Sequence, residues 1–249
     1  MNDNEQDSKD QPQTTPTESL AVYASAPHPC SYIDGEEAEA LFIDPNIDIK
    51  PEQYSHLATL GFRRSGKLIY RPDCQHCQAC IPIRLPVKHF KASKSQKRII
   101  KKNADLVIEQ ISSIEATEFY QLYENYINQR HADGDMYPAD EEQYLSFLGN
   151  ALGSTQYFTF STQDKLIAVA VVDRLDDGLS AVYTFFDPTE NERSLGTFAV
   201  LWQIEHAKAL ELSHLYLGYW VKGSQKMEYK SRFKPAEILI NQQWRPLIT

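Results

Sequence analysis

The spacing of apolar residues changes character along the chain. Residues 1–18, MNDNEQDSKDQPQTTPTE, carry almost nothing that could be buried and are rich in Gln, Asp, Thr and Pro, the composition of a disordered tail. Order is expected to begin near Leu20. In PEQYSHLATL (51–60) Tyr54, Leu57 and Leu60 recur at helical spacing, and Gly61 follows as a stop signal. GFRRSGKLIYRP and CIPIRLPV read as two strands flanking a cysteine cluster. SKSQKRIIKKN reads as a short basic helix opened by a Ser cap, and LVIEQIS as a strand.

The second half has a different rhythm. EATEFYQLYENYINQRH repeats Phe119, Leu122, Tyr123, Tyr126 and Ile127 in steps of three and four, an amphipathic helix. A second helix is expected over roughly residues 140–150. TQYFTFST, KLIAVAVVDRL and GLSAVYTFFD then predict three strands rich in β-branched and aromatic residues. Asp187-Pro188 starts a loop, a long helix runs from about Ser194 to Leu212, and the strands HLYLGYW and EILIN close the chain. Two helices, a three-strand meander, then helix, strand, helix and strand is the order expected of a GNAT-type acyltransferase half. The expected fold is α+β: a small N-terminal cysteine-containing domain over 19–112, and a GNAT-like domain over 113–249 with a mixed, mostly antiparallel sheet flanked by helices. The boundary near residue 112 is soft, because the early residues can pack against the later sheet.

Composition adds that this is an ordinary soluble chain, 42% hydrophobic and 24% charged. No apolar run approaches the roughly 20 residues that cross a bilayer, and the polar N-terminus is no secretory signal, so a cytoplasmic protein is expected. A monomer is expected, although no pattern fixes oligomeric state. Net charge changes the picture more. The chain carries −9 overall, yet residues 61–102 hold twelve Lys and Arg against the single acid Asp73, so this segment is +11 and the remainder −20. A polyanion would be drawn to one region and repelled elsewhere.

The chemistry-bearing residues fall into four groups. Cys74, Cys77 and Cys80 are spaced so that a tight turn aims their sulfurs at one point, with Cys30 upstream as a fourth ligand and His76 as its alternative; zinc or an iron–sulfur cluster would suit them, as would inert buried thiols. Lys94, Lys97, Arg98, Lys101 and Lys102 are placed to follow a phosphate backbone. Arg193, Ser194 and Gly196 open the long helix, whose N-terminus suits a phosphate; Phe198 stands where an acetyl-CoA site would carry a small residue. YLGYWVKGSQKMEYKSRFKP interleaves aromatics with cations, Lys226 and Lys230 among them, as a flexible RNA end would require, although core aromatics between surface lysines look the same.

HPCSY (28–32), GFRRSGKLIYRPDCQHCQACIPIRL (61–85), FKASKSQKR (90–98), DPTENERSLGTFAVLWQIE (187–205) and YLGYWVKGSQKMEYKSRFKPAEIL (216–239) together resemble the bacterial aspartate/glutamate leucyltransferases, relatives of the arginyl-tRNA–protein transferases. The resemblance implies transfer of leucine from leucyl-tRNA to the α-amine of a protein beginning with Asp or Glu, making a degradation signal of the N-degron pathway. Arginyl-tRNA is the alternative donor. An aminoacyl-tRNA is already an activated ester, so no cofactor is required for transfer. An acidic acceptor side chain calls for arginine, and Arg63, Arg64 and Arg84 are the candidates. Asp187 and Tyr219, at the ends of predicted strands, are candidates for orienting the amine or relaying its proton. Two other functions fit parts of the pattern: an acetyl-CoA-dependent GNAT N-acetyltransferase, and a non-enzymatic RNA- or metal-binding module.

Overall fold

A computed structural model describes residues 20–163 and 165–248; the tail expected at 1–18 lies outside them. Four N-terminal strands, β1 (Val22–Ala24), β2 (His28–Pro29), β3 (Glu37–Ala38) and β4 (Ala40–Ile43), lead into helix α1 (Pro51–Thr59). Then come β5 (Arg63–Ser65), β6 (Leu68–Pro72), β7 (Ile81–Pro86), α2 (Lys94–Lys102) and β8 (Val107–Ile111). Helices α3 (Thr117–Arg130) and α4 (Glu141–Leu148) precede the meander β9 (Thr155–Ser161), β10 (Leu166–Arg174) and β11 (Gly178–Phe186). The chain ends with α5 (Leu195–Ala209), β12 (His214–Trp220), β13 (Glu237–Ile240) and β14 (Gln243–Pro246).

One large mixed sheet organises the molecule, in the order β14-β13-β7-β12-β11-β10-β9-β8. Only β11 and β12 run parallel. The expected class, α+β with a mixed, mostly antiparallel sheet between helices, is the one observed. The line expected near residue 112 falls inside this sheet, because β7 and β8 both precede it in the chain. The long apolar run of KLIAVAVVDRL explains why β10 is central: it is covered on both faces. Ala168, Ala170 and Val172 pack toward α5, and the alternate residues Val169 and Val171 pack toward α3 and α4. On α3 the buried stripe is Phe119, Tyr123, Tyr126 and Ile127, as the three- and four-residue steps predicted.

GFRRSGKLIYRP is a hairpin rather than one strand. Gly66 makes its turn at φ +59°, and a Cβ there would sit 2.3 Å from the Ser146 carbonyl, so only glycine fits. With β1 and β4 this hairpin forms a four-stranded sheet, which packs with α1 around Ile43, Tyr54, Leu57, Phe62 and Ile69. Helix α2 begins at a reciprocal capping box: the Gln96 backbone N–H donates to Ser93 Oγ at 3.2 Å, and the Ser93 N–H to Gln96 Oε1 at 2.8 Å. No helix among the described residues is long and apolar enough to cross a membrane.

Candidate active site

Strands β11 and β12 pair only from Gly178/His214 to Ser180/Tyr216, then part. Arg63 reaches the first residue of β11 beyond that pairing: its Nη2 donates to the Ala181 carbonyl at 2.7 Å. The guanidinium reaches it across Gly218, at φ +77°, where a Cβ would lie 2.0 Å from Arg63 Nη1. A cleft of about 730 Å³ opens at this parting, with Arg63, Tyr219 and Lys230 on one side and the first turn of α5 on another.

Lys230 is buried beside the cleft, 6% exposed. Its Nζ donates to the Tyr219 carbonyl at 2.6 Å and to Met227 Sδ at 3.1 Å. Burial, and then the positive charge of Arg63, push its amine down to about 7, against some opposition from Cys80. Near neutral pH a neutral amine is therefore accessible. Its two hydrogens meet the two acceptors, and its lone pair is left over.

The start of α5 also borders the cleft. Ser194 caps α5 in the left-handed region (φ 54°) without a side-chain cap bond, so the first-turn amides of Leu195, Gly196 and Thr197 have no intrahelical acceptor and border the cleft. Helix α2 ends against this point: Asn103 Nδ2 donates to the Arg193 carbonyl at 2.9 Å, and Lys102 pairs with Glu192 at 3.3 Å. Lys94, Lys97, Arg98, Lys101 and Lys102 are all exposed. The basic helix thus runs up to the lip of the cleft.

Several expected site residues have other partners. Arg64 is fully buried in a bidentate pair with Asp173 (2.7 and 2.9 Å), which also accepts from Tyr54 and Thr155; it cannot receive an acceptor carboxylate. Arg84 donates to Glu237 at 2.8 Å and lies 4.3 Å over Trp244, outside the cleft lining. Asp187 accepts from the Thr189 N–H and hydroxyl and pairs with Lys165. Burial would raise its carboxyl, but those bonds outweigh it and hold it below the usual range, which makes it a loop anchor rather than a base. Tyr219 lines the cleft but its hydroxyl is directed at the Gly61 carbonyl, 2.8 Å away, and burial keeps it protonated. Arg193 is tied to Asp105 by two 2.9 Å bonds and to Glu190, which fixes the turn before α5. Lys226 lines the cleft while pairing with Asp133 at 2.9 Å. Phe198 packs on Phe160 in the core, so it does not crowd the α5 N-terminus. Of the three arginines, the structure brings only Arg63 into the cleft. Lys230, read as an RNA contact, is instead an interior group.

Cys30, Cys74, Cys77 and Cys80 line a neighbouring pocket of about 420 Å³ that shares Tyr32 and Tyr70 with the cleft. All four are free thiols. The Tyr32 and Ala79 N–H groups, each two residues on, point at Cys30 and Cys77 Sγ at 3.5 Å. Burial, with the other three cysteines adding, pushes the Cys80 thiol up to about 12, which keeps that one sulfur protonated near neutral pH. Among the described residues no group of three or more His, Cys, Asp or Glu side chains is arranged as a metal site.

Several cleft residues, Arg130 and His131 among them, were absent from the sequence expectations, and one of these is buried and polar. Gln203 interrupts the apolar run AVLWQIE of α5, is 1% exposed and lines the cleft. A single polar residue inside an otherwise buried helix face was the signal available for it.

The chain matches two family profiles, described as arginine-tRNA-protein transferase N terminus over residues 28–98 and C terminus over 118–240. It is 55% identical over 226 residues to an aspartate/glutamate leucyltransferase of Teredinibacter turnerae, covering 90% of this chain and 93% of that protein. It is 51% identical over 230 residues to one of Saccharophagus degradans, with 92% and 98% covered. Among solved structures, L-PGS from Bacillus licheniformis is similar at a TM-score of 0.49 and 10% identity, over 68% of this chain and 59% of that one.

Proposed function

The chain belongs to the arginine-tRNA–protein transferase family, and from that membership we propose that it transfers leucine from leucyl-tRNA to the α-amine of proteins beginning with Asp or Glu. The leucine so added serves as a degradation signal. The observation that carries the site assignment is the convergence of Arg63, Lys230 and the α5 N-terminus on one cleft, with the basic helix α2 at its lip.

The acceptor enters with the side-chain carboxylate of its first residue on Arg63, whose Nη2 is fixed by Ala181 and whose remaining N–H groups are directed donors. Lys230 takes a proton from the acceptor ammonium. The freed amine attacks the leucyl ester carbonyl, an amide bond forms, and the ester C–O bond breaks. The ribose oxygen leaves as an alkoxide and takes up the proton that the attacking nitrogen loses on becoming an amide, while Lys230 keeps the first proton until it passes to solvent, so no acyl-enzyme and no external reagent is needed. The first turn of α5 offers amides and a positive dipole end to the 3′-terminal phosphate of the tRNA. Lys94, Lys97, Arg98, Lys101 and Lys102 guide the acceptor stem by charge alone, without reading bases. The fold is read as GNAT-like, with the cleft at the parting of two parallel strands.

For the cysteines, zinc or an iron–sulfur cluster remains a proposal. Metal analysis and absorption spectra of anaerobically purified protein would test it, and no step of the transfer runs through them. The transfer itself is tested with leucine-labelled leucyl-tRNA and a peptide beginning with Asp or Glu. Label in the peptide supports the assignment; label from arginyl-tRNA alone would change the donor, and none from either would remove the function.

A further inference from the structure

Gln203 is the part of the cleft that the transfer chemistry leaves unexplained. Neither its Oε1 nor its Nε2 has a hydrogen-bond partner among the described residues, although both are buried. Burying an amide with both ends unpaired is unfavourable and is tolerated where a ligand completes it. Along α5 it shares the cleft face with Gly196 and Val200, seven and three residues before it, and across from that face β12 contributes Leu217.

A primary amide presents one acceptor and two donors side by side. The group with the complementary pair on adjacent carbons is an α-aminoacyl unit: an ammonium donates to Oε1 while the carbonyl accepts from Nε2. Both the leucyl ester and the acceptor's first residue contain such a unit. Val200, Leu195 and Leu217 give the cleft an apolar lining beside Gln203, which suits a leucyl side chain, whereas a carboxylate belongs with Arg63. Gly196 to Gln203 also spans about 10 Å along the helix axis, of the order of one nucleotide with its ester, so a phosphate at the α5 N-terminus would bring the ester toward Gln203.

We propose that Gln203 is the recognition residue for the α-aminoacyl unit of the leucyl donor, within a subsite walled by Leu195, Val200 and Leu217. This rests on the tRNA-dependent transfer proposed above. Such a subsite would let a cleft supplied by charge alone prefer aminoacylated over uncharged tRNA.

The test compares full-length wild type with Gln203→Met, which keeps the volume and removes both polar atoms. Affinities are measured for three probes: uncharged leucine tRNA, the same tRNA carrying leucine through a stable 3′-amide, and its N-acetyl-leucyl form. Wild type should prefer the leucyl form, and acetylation, which removes the ammonium, should weaken it. The variant should bind uncharged tRNA as before and lose about tenfold or more for the leucyl form. An unchanged preference for the leucyl form in Gln203→Met overturns the proposal. So does an intact tRNA preference with weakened binding of an Asp-initiated peptide, which would move the residue to the acceptor side. Thermal unfolding separates misfolding from impaired recognition, since removing an unpaired amide should leave the melting temperature equal or higher. Gln203→Leu repeats the measurement if Gln203→Met unfolds. Wild type that fails to label any peptide from leucyl-tRNA fails the transfer reading itself, a different result from a variant that labels normally.

Discussion

Arg63 and Lys230 stand in the same cleft and do opposite things with charge. Arg63 keeps a fixed cation where an acidic side chain arrives, and Arg63→Ala is expected to raise the KM for Asp- and Glu-initiated peptides by about 10- to 100-fold, the worth of a charged hydrogen bond. Affinity for leucyl-tRNA, measured alongside, should hold; its loss would place Arg63 on the RNA side. Lys230 is useful because it sheds its charge. Transfer rate at saturating substrates should rise with pH through about 7, where Lys230 deprotonates, and Lys230→Met should lose about 10²- to 10⁴-fold in kcat together with that rise. Its stability signature runs in a definite direction. The folded amine is depressed from its ordinary 10.5, so the unfolded chain binds more protons between about pH 7 and 10.5, and wild-type stability climbs across that window. Lys230→Met should therefore melt higher than wild type at pH 7, with the advantage shrinking toward pH 10 in a thermal scan. Its burial was not legible in YKSRFK, where lysines alternate with aromatics as they would on a wet surface; burial there depends on Tyr219, a strand away.

At the level of elements, the reading succeeded where one face repeats and failed where a turn or a partner decides. The stripe of α3, the extent of α5, the Ser93 cap of α2 and the β9–β11 meander were all legible, because each follows from local sequence. The β5–β6 hairpin was not: its turn at Gly66 is imposed by the Ser146 carbonyl, some eighty residues away. The same distance problem hid Arg64, whose partner Asp173 lies on β10. That pair ties the small sheet to the large one, and Asp173→Ala should cost about 3–5 kcal/mol in urea unfolding because a buried guanidinium is left unpaired. A loss below about 1 kcal/mol would mean water or another acceptor reaches Arg64. On β12, Gly218→Ala should displace Arg63 and reproduce the Arg63→Ala acceptor defect without touching the guanidinium itself.

Across the whole molecule, charge is partitioned rather than balanced. The +11 segment supplies α2, and the structure sets this helix beside the turn that starts α5, so an anion drawn to it is delivered at the cleft. Reversing Lys97, Arg98 and Lys101 to Glu should lower tRNA affinity and flatten the slope of log affinity against log salt by up to about three, one for each phosphate no longer neutralised. An unchanged slope would put the docking face elsewhere, and melting should barely move because all three side chains are exposed. The partition was legible from the residue count; that it faces the cleft was not, since it rests on Asn103 and Arg193 meeting 90 positions apart. The parting of β11 and β12 has its own evolutionary reach. The side chain assigned to grip the incoming N-terminus is also the one bonded to a carbonyl of β11 where its neighbour leaves it. A mutation retuning which N-termini are tagged would thereby open a hole in the sheet, and a lineage could broaden its repertoire only by first closing that hole from another position.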